Sequence, residues 1–162
     1  IIDISGGIFT GGNSSEQLGA DALTINDSSV TITGGIFTAG IGPTADGDSL
    51  TAFRSDIDIF EGTFNDTLTL FDSFIDMYGG LFSDDIALFN TTLDVFGSDL
   101  TFDGDFLAGF LDDGQYISVG VDLFSDATSC WLVNFAVTEP ATLFMLGLGI
   151  IGLAGMRRKF KK

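Results

Sequence analysis

Carboxylates are the reactive groups this chain has in quantity. Its 162 residues include 23 Asp and Glu, no histidine and a single cysteine, Cys130. Carboxylates can hydrolyse polysaccharide when clustered, and can bind Ca²⁺ when several converge. Three of them recur at a fixed interval, Asp58, Asp76 and Asp94 being 18 residues apart. Two adjacent pairs, Asp84-Asp85 and Asp112-Asp113, are the nearest approach to a clustered site, and both read better as turns. The absence of histidine removes the commonest general base and metal ligand. Arg54 is the only base before residue 157, so a base-dependent elimination has one candidate at most. No GxSxG elbow, P-loop or Cys/His zinc spacing is present. Cys130 stands beside Trp131 and Leu132 and reads as a small buried apolar residue rather than a reactive thiol. These residue types point away from an enzyme.

The elements that position the carboxylates are visible as a repeat. Four octets align without gaps: Ile2-Asp-Ile-Ser-Gly-Gly-Ile-Phe9, Val30-Thr-Ile-Thr-Gly-Gly-Ile-Phe37, Ile57-Asp-Ile-Phe-Glu-Gly-Thr-Phe64 and Ile75-Asp-Met-Tyr-Gly-Gly-Leu-Phe82. A degenerate fifth starts at Leu93, and the starts are 28, 27, 18 and 18 residues apart. A second strip, at Leu23, Leu50, Leu68 and Ile86, keeps step at 27, 18 and 18. The longer units carry insertions over 10–22 and 38–48, rich in Gly, Ser, Asn and Asp, as suits surface loops. Apolar residues alternate within each strip, the period of a strand. Two short strands and their turns per unit of about 18 residues predict a parallel β-solenoid, with Gly-Gly at a corner.

That register makes positional predictions. Phe9, Phe37, Phe64 and Phe82 should stack, followed by Leu100; so should Phe60, Tyr78 and Phe96, and Phe53, Phe71 and Phe89. Asp27, Arg54, Asp72 and Asn90 are equivalent, which puts Arg54 between two carboxylates. Asp58, Asp76 and Asp94 should form an outward row that is either a solvated acidic face or a weak site bridged by Ca²⁺. No other cofactor is expected.

The repeat fades after Leu100. Residues 1–105 are assigned to the solenoid, and 106–135 to a capping region in which Phe106–Leu111 and Tyr116–Phe124 form a hairpin and Ser129–Phe135 a further strand. Residues 136–140 are a linker. The stretch 141–156 has no charge and predicts a transmembrane helix, and 157–162 is a basic tail. Sixteen helical residues rise about 24 Å, and flanking bases can snorkel across the shortfall from a bilayer core of about 30 Å. Ahead of the span lie all 23 carboxylates against Arg54 alone, a side-chain balance of −22. Such a body repels nucleic acid, which binds through Lys and Arg. Arg157, Arg158, Lys159, Lys161 and Lys162 form a membrane-stop cluster that stays cytoplasmic, so the acidic body lies outside. The alternative for 141–156 is a buried core helix.

Glu139-Pro140-Ala141-Thr142, the short Gly/Leu-rich span and the basic end resemble the PEP-CTERM sorting signal, over 137–162. The family pattern is Pro-Glu-Pro, where this chain has Thr138-Glu139-Pro140. The resemblance implies export in a Gram-negative bacterium as an inner-membrane-anchored precursor. It further implies processing near Thr138, Glu139 and Pro140 by an exosortase, a membrane protease or transpeptidase, with delivery to the cell surface or extracellular matrix. It also implies an exopolysaccharide setting. Gly109-Phe-Leu-Asp-Asp-Gly114 is similar to a G-x-L-x-D-G segment found upstream of such tails. The expected function is a structural or adhesive surface protein. The alternative is a carbohydrate-active β-helix enzyme with its catalytic part upstream, because the chain opens inside a repeat, at Ile1, without a signal peptide.

Overall fold

The computed structural model describes residues 1–15, 19–43, 45–125 and 128–134. Within them the chain is all-β, without a helix. The strands are β1 (Ile2–Thr10), β2 (Thr24–Asn26), β3 (Ser29–Thr38), β4 (Leu50–Phe53), β5 (Asp56–Phe64), β6 (Leu68–Phe71), β7 (Phe74–Met77), β8 (Leu81–Phe82), β9 (Ile86–Phe89), β10 (Thr92–Phe102), β11 (Phe106–Leu111), β12 (Tyr116–Leu123) and β13 (Ser129–Asn134).

They form one curled sheet of mixed strands, in the order β1-β3-β5-β7-β10-β11-β12-β9-β6-β4-β2. The two limbs are parallel ladders, and their registers are those of the sequence alignment. Ile2 pairs with Val30, Val30 with Ile57, Ile57 with Ile75 and Ile75 with Leu93. On the other limb Leu50 pairs with Leu68 and Leu68 with Ile86. Alternation turns every second side chain inward, so Val30, Ile32, Ile57, Ile59, Ile75, Met77, Leu93 and Val95 of one limb meet Leu50, Leu68, Leu70, Ile86 and Leu88 of the other in one core. Each such burial is worth about 1.5–3 kcal/mol.

The expected hairpin is present, with Phe110 opposite Tyr116 in the β11–β12 pair. It also joins the limbs, since β11 runs antiparallel to β10 while Val121–Leu123 of β12 lies parallel to β9. Beyond it β13 lies parallel to β10, pairing Leu93 with Cys130. The ladders therefore continue past the point where the sequence repeat fades.

The expected corner separates β7 from β8 at Gly79-Gly80, whereas in β1 and β3 the Gly-Gly pair is a bulge within a continuous strand. Register shifts fall between Ser5 and Ile8 and between Thr33 and Ile36, so β1 and β3 run through it. Gly35, Gly62 and Gly80 have φ of +120°, +140° and +114°, where a side chain would strain the backbone. The described parts of the two insertions bond to each other, as in Gly11 N–H to Thr38 O and Ser14 N–H to Ile41 O.

All the expected aromatic ladders form. Phe9, Phe37, Phe64 and Phe82 stack with centroids 4.8–5.1 Å apart. Phe53, Phe71 and Phe89 stack likewise, and Phe124 extends that series at 4.3 Å from Phe89. Leu100 is buried. Thr138, Glu139, Pro140, the span 141–156 and the basic cluster of Arg157, Arg158, Lys159, Lys161 and Lys162 lie outside the described residues. Among the described residues no helix is long and apolar enough to cross a membrane.

Candidate functional site

Asp58, Asp76 and Asp94 are brought together as adjacent rungs: Asp76 of β7 pairs with Asp58 of β5 on one side and with Asp94 of β10 on the other. Burial raises the Asp76 carboxyl above the ordinary range, and the charges of Asp94 and Asp58 push the same way, against a hydrogen bond from Tyr78. Asp94 Oδ1 is buried without a hydrogen-bond partner among the described residues. Ladder geometry spaces such groups by about 4.8 Å in a line. Among the described residues no group of three or more His, Cys, Asp or Glu is placed to hold a metal ion.

Arg54 sits between Asp27 and Asp72, as its register predicts, and feels the charge of both, but its hydrogen bonds go to Asp27. Its Nε and Nη2 donate to Asp27 Oδ1 and Oδ2 at 2.7 and 2.8 Å, while Asp72 Oδ1 accepts from Asn90 Nδ2 at 2.6 Å. The reason is shared backbone geometry. Asp27, Arg54, Asp72 and Asn90 all have φ between +46° and +51°, which lines their side chains up, and Asn90 supplies Asp72 with a donor one rung away. Immediately inside this line is a buried hydroxyl ladder. Ser55 N–H donates to Ser73 Oγ and Ser73 N–H to Thr91 Oγ1, while Ser55, Ser73 and Thr91 donate to the carbonyls of Phe53, Phe71 and Phe89. Sequence reasoning overlooked it, although Ser55, Ser73 and Thr91 recur at 18 residues. Cys130 packs against the core, and burial pushes its thiol up to about 11, the opposite of an activated nucleophile.

Three of the four carboxylates in the two acidic pairs, Asp84, Asp85 and Asp113, bind backbone N–H groups. Asp85 Oδ1 accepts from Gly120 N–H at 3.1 Å, and Asp84 Oδ1 from Asp85 N–H at 2.9 Å. Asp113 Oδ2 accepts from Gly80 N–H and its Oδ1 from Gln115 N–H, each at 2.8 Å, so the hairpin turn is fastened to a corner 33 residues earlier. The fixed positions of the Gly109–Gly114 segment each have a local cause. A Cβ on Gly109 would lie 2.7 Å from Leu100 Cα, Leu111 is in the core, Asp113 is the fastener, and Gly114 has φ of +85°. Beside the fastened turn is an open cleft of about 400 Å³, lined by Thr33, Phe60, Glu61, Tyr78, Asp112 and Asp113.

Stacking covers both faces of the inner rings of a ladder, such as Phe71 and Phe89, and one face of each end ring. Phe53, Phe71, Phe89 and Phe124 lie within 16° of parallel at 4.3–4.8 Å, which leaves their edges to solvent.

The site assigned to sorting is the C-terminal segment. Residues 136–159 match the PEP-CTERM protein-sorting motif. No curated protein and no solved structure matches the chain. The matched stretch contains Thr138, Glu139, Pro140, the apolar run 141–156 and Arg157, Arg158 and Lys159, with Lys161 and Lys162 just beyond it. The motif marks an exported precursor that passes to an exosortase, a membrane enzyme. An acidic all-β body is thus followed, in one polypeptide, by a segment, 136–159, that matches the PEP-CTERM protein-sorting motif.

Proposed function

We propose that this is a non-enzymatic surface protein of a Gram-negative bacterium, exported through the inner membrane and sorted by an exosortase. Residues 141–156 hold the precursor in the bilayer as a helix, and Arg157, Arg158, Lys159, Lys161 and Lys162 stop its transfer. Thr138, Glu139 and Pro140 are the recognition residues, and processing beside them frees the body for the cell surface or extracellular matrix. The observation that carries this reading is the motif match over 136–159, directly after a body, residues 1–135, with a side-chain charge of −21.

The body is read as a β-solenoid. In-register parallel ladders at 18 residues and coaxial aromatic stacks support that reading. A polysaccharide-matrix setting with a structural or adhesive role follows from the resemblance of the tail. The reading assigns no cofactor, and the row of Asp58, Asp76 and Asp94 serves as an acidic face.

The test is an epitope-tagged full chain in a host with an exosortase, compared with Glu139→Ala/Pro140→Ala. The parent chain should shorten and reach the surface, and the variant should remain full-size in the inner membrane. Identical size and location for both would remove the sorting claim.

A further inference from the structure

The stack of Phe60, Tyr78 and Phe96 has an open end. Tyr78 is covered on both faces, by Phe60 at 4.7 Å and by Phe96 at 4.3 Å. Phe60 heads the series, because the neighbouring strand β3 offers Thr33 where the later units place a ring. Phe60 is 41% exposed, a large aromatic left at the wall of the cleft. We infer that this cleft is a docking surface for a basic peptide segment bound in extended form.

Three features select that occupant. The first is shape. The cleft shares Glu61 and Asp113 with a second one of about 430 Å³ lined by Gly34, Gly35, Gly62 and Gly80 together with Thr63, Leu81 and Gln115, so the two form one trough. An elongated trough with four glycines along it suits an extended chain better than a compact small molecule. The second is the wall. An exposed ring attracts an ammonium or guanidinium group, and Glu61 and Asp112, both exposed, line the same cleft to accept its hydrogen bonds, Asp112 at the Phe96 end, where the Asp112 N–H donates to Phe96 O. Asp113 is already engaged by Gly80 and Gln115 and keeps the wall in place. The third is the field. The body, residues 1–135, bears one base, at Arg54, against 22 carboxylates, so it concentrates cations and gives a neutral ligand no such advantage.

The probe is the peptide Lys-Ser-Lys-Ser-Lys-Ser, titrated calorimetrically into the full chain held in neutral detergent. Salt is set at about 0.15 M, where screening over about 8 Å suppresses diffuse attraction. Cellohexaose is the neutral comparator. The proposal expects saturable binding of the peptide, at least fivefold weaker in Phe60→Ser, at least tenfold weaker in Glu61→Gln/Asp112→Asn, and restored in Phe60→Tyr. Asp56→Asn/Asp122→Asn removes the same charge from exposed positions outside the trough and should change affinity less than twofold. Melting curves confirm that each variant is folded. No peptide binding, or equal losses in the two charge variants, overturns the proposal. Cellohexaose binding that depends on Phe60, without peptide binding, also overturns it, in favour of a neutral glycan.

Discussion

At the scale of single residues, polar side chains here act mainly on backbone groups. Asp113 shows this best, since one carboxylate takes the N–H of Gly80 and that of Gln115. Asp113→Ala leaves the part-buried Gly80 donor unpaired and should cost about 1–3 kcal/mol, read as a lower urea midpoint at unchanged slope. Asp113→Asn keeps one acceptor oxygen and should lose less. Ser73→Ala strips the buried Ser55 N–H of its acceptor and should cost a similar 1–3 kcal/mol, roughly, by the same measurement. Arg54→Ala should leave the midpoint unchanged, because the Arg54–Asp27 pair is exposed, at 59% and 64%. A midpoint shift for Arg54→Ala as large as that for Ser73→Ala would reverse this ranking. The sequence shows Asp112-Asp113-Gly114 as a turn through residue type alone. It cannot show Gly80 as the partner, because a side chain bonding to backbone 33 residues away leaves no spacing pattern. The hydroxyl ladder does leave one, at Ser55, Ser73 and Thr91, but tracking only apolar alternation passes over it.

At the scale of elements, the ladders were legible because like residues must sit on like residues in a parallel stack. Octet alignment and strand register agree from Ile2 through Leu93. The last rungs were not read as such. The β11 arm and its turn lengthen the interval, so Val121 follows its partner Ile86 by 35 residues and Cys130 follows Leu93 by 37. A trace remains, since Val121-Asp-Leu-Phe124 repeats the form of Leu68-Thr-Leu-Phe71 and Ile86-Ala-Leu-Phe89. Gly-Gly implied a corner, which Gly79-Gly80 makes between β7 and β8, but in β1 and β3 it is a bulge because backbone pairing resumes on the far side at Ile8 and Ile36. The core stack supplies the element-scale prediction. Phe64 is 0% exposed between Phe37 and Phe82, so Phe64→Ala should cost about 3–5 kcal/mol by denaturation. Phe71→Ala, at a half-buried corner, should cost less. Equal costs would mean that the Phe64 ladder is not the packed centre.

At the scale of the whole molecule, charge organises behaviour. Burial raises the Asp76 and Asp48 carboxyls, assisted for Asp76 by Asp94 and Asp58, and for Asp48 by Asp21 and Asp66. A carboxyl raised by folding binds its proton more readily in the folded chain, so its contribution is full below the unfolded value and is lost as pH rises through the folded one. The Arg54 hydrogen bond lowers Asp27, which runs the opposite way, losing its contribution as pH falls, but that pair is exposed. Acidification from about pH 7 toward about pH 4, the ordinary carboxylate value, should therefore raise Tm, helped by relief of repulsion in a body, residues 1–135, of side-chain charge −21. A Tm that falls steadily over that range would contradict this balance.

The same charge ends abruptly at Glu139, and the basic cluster begins at Arg157. That change of sign across an apolar run made the sorting segment readable without any fold. The account stands on that segment being processed, and the most direct measurement is the intact mass of the protein recovered from the surface of a host with an exosortase. Loss of the residues following the Thr138-Glu139-Pro140 region is the predicted result. A surface-recovered chain that still ends in Lys162 would contradict it.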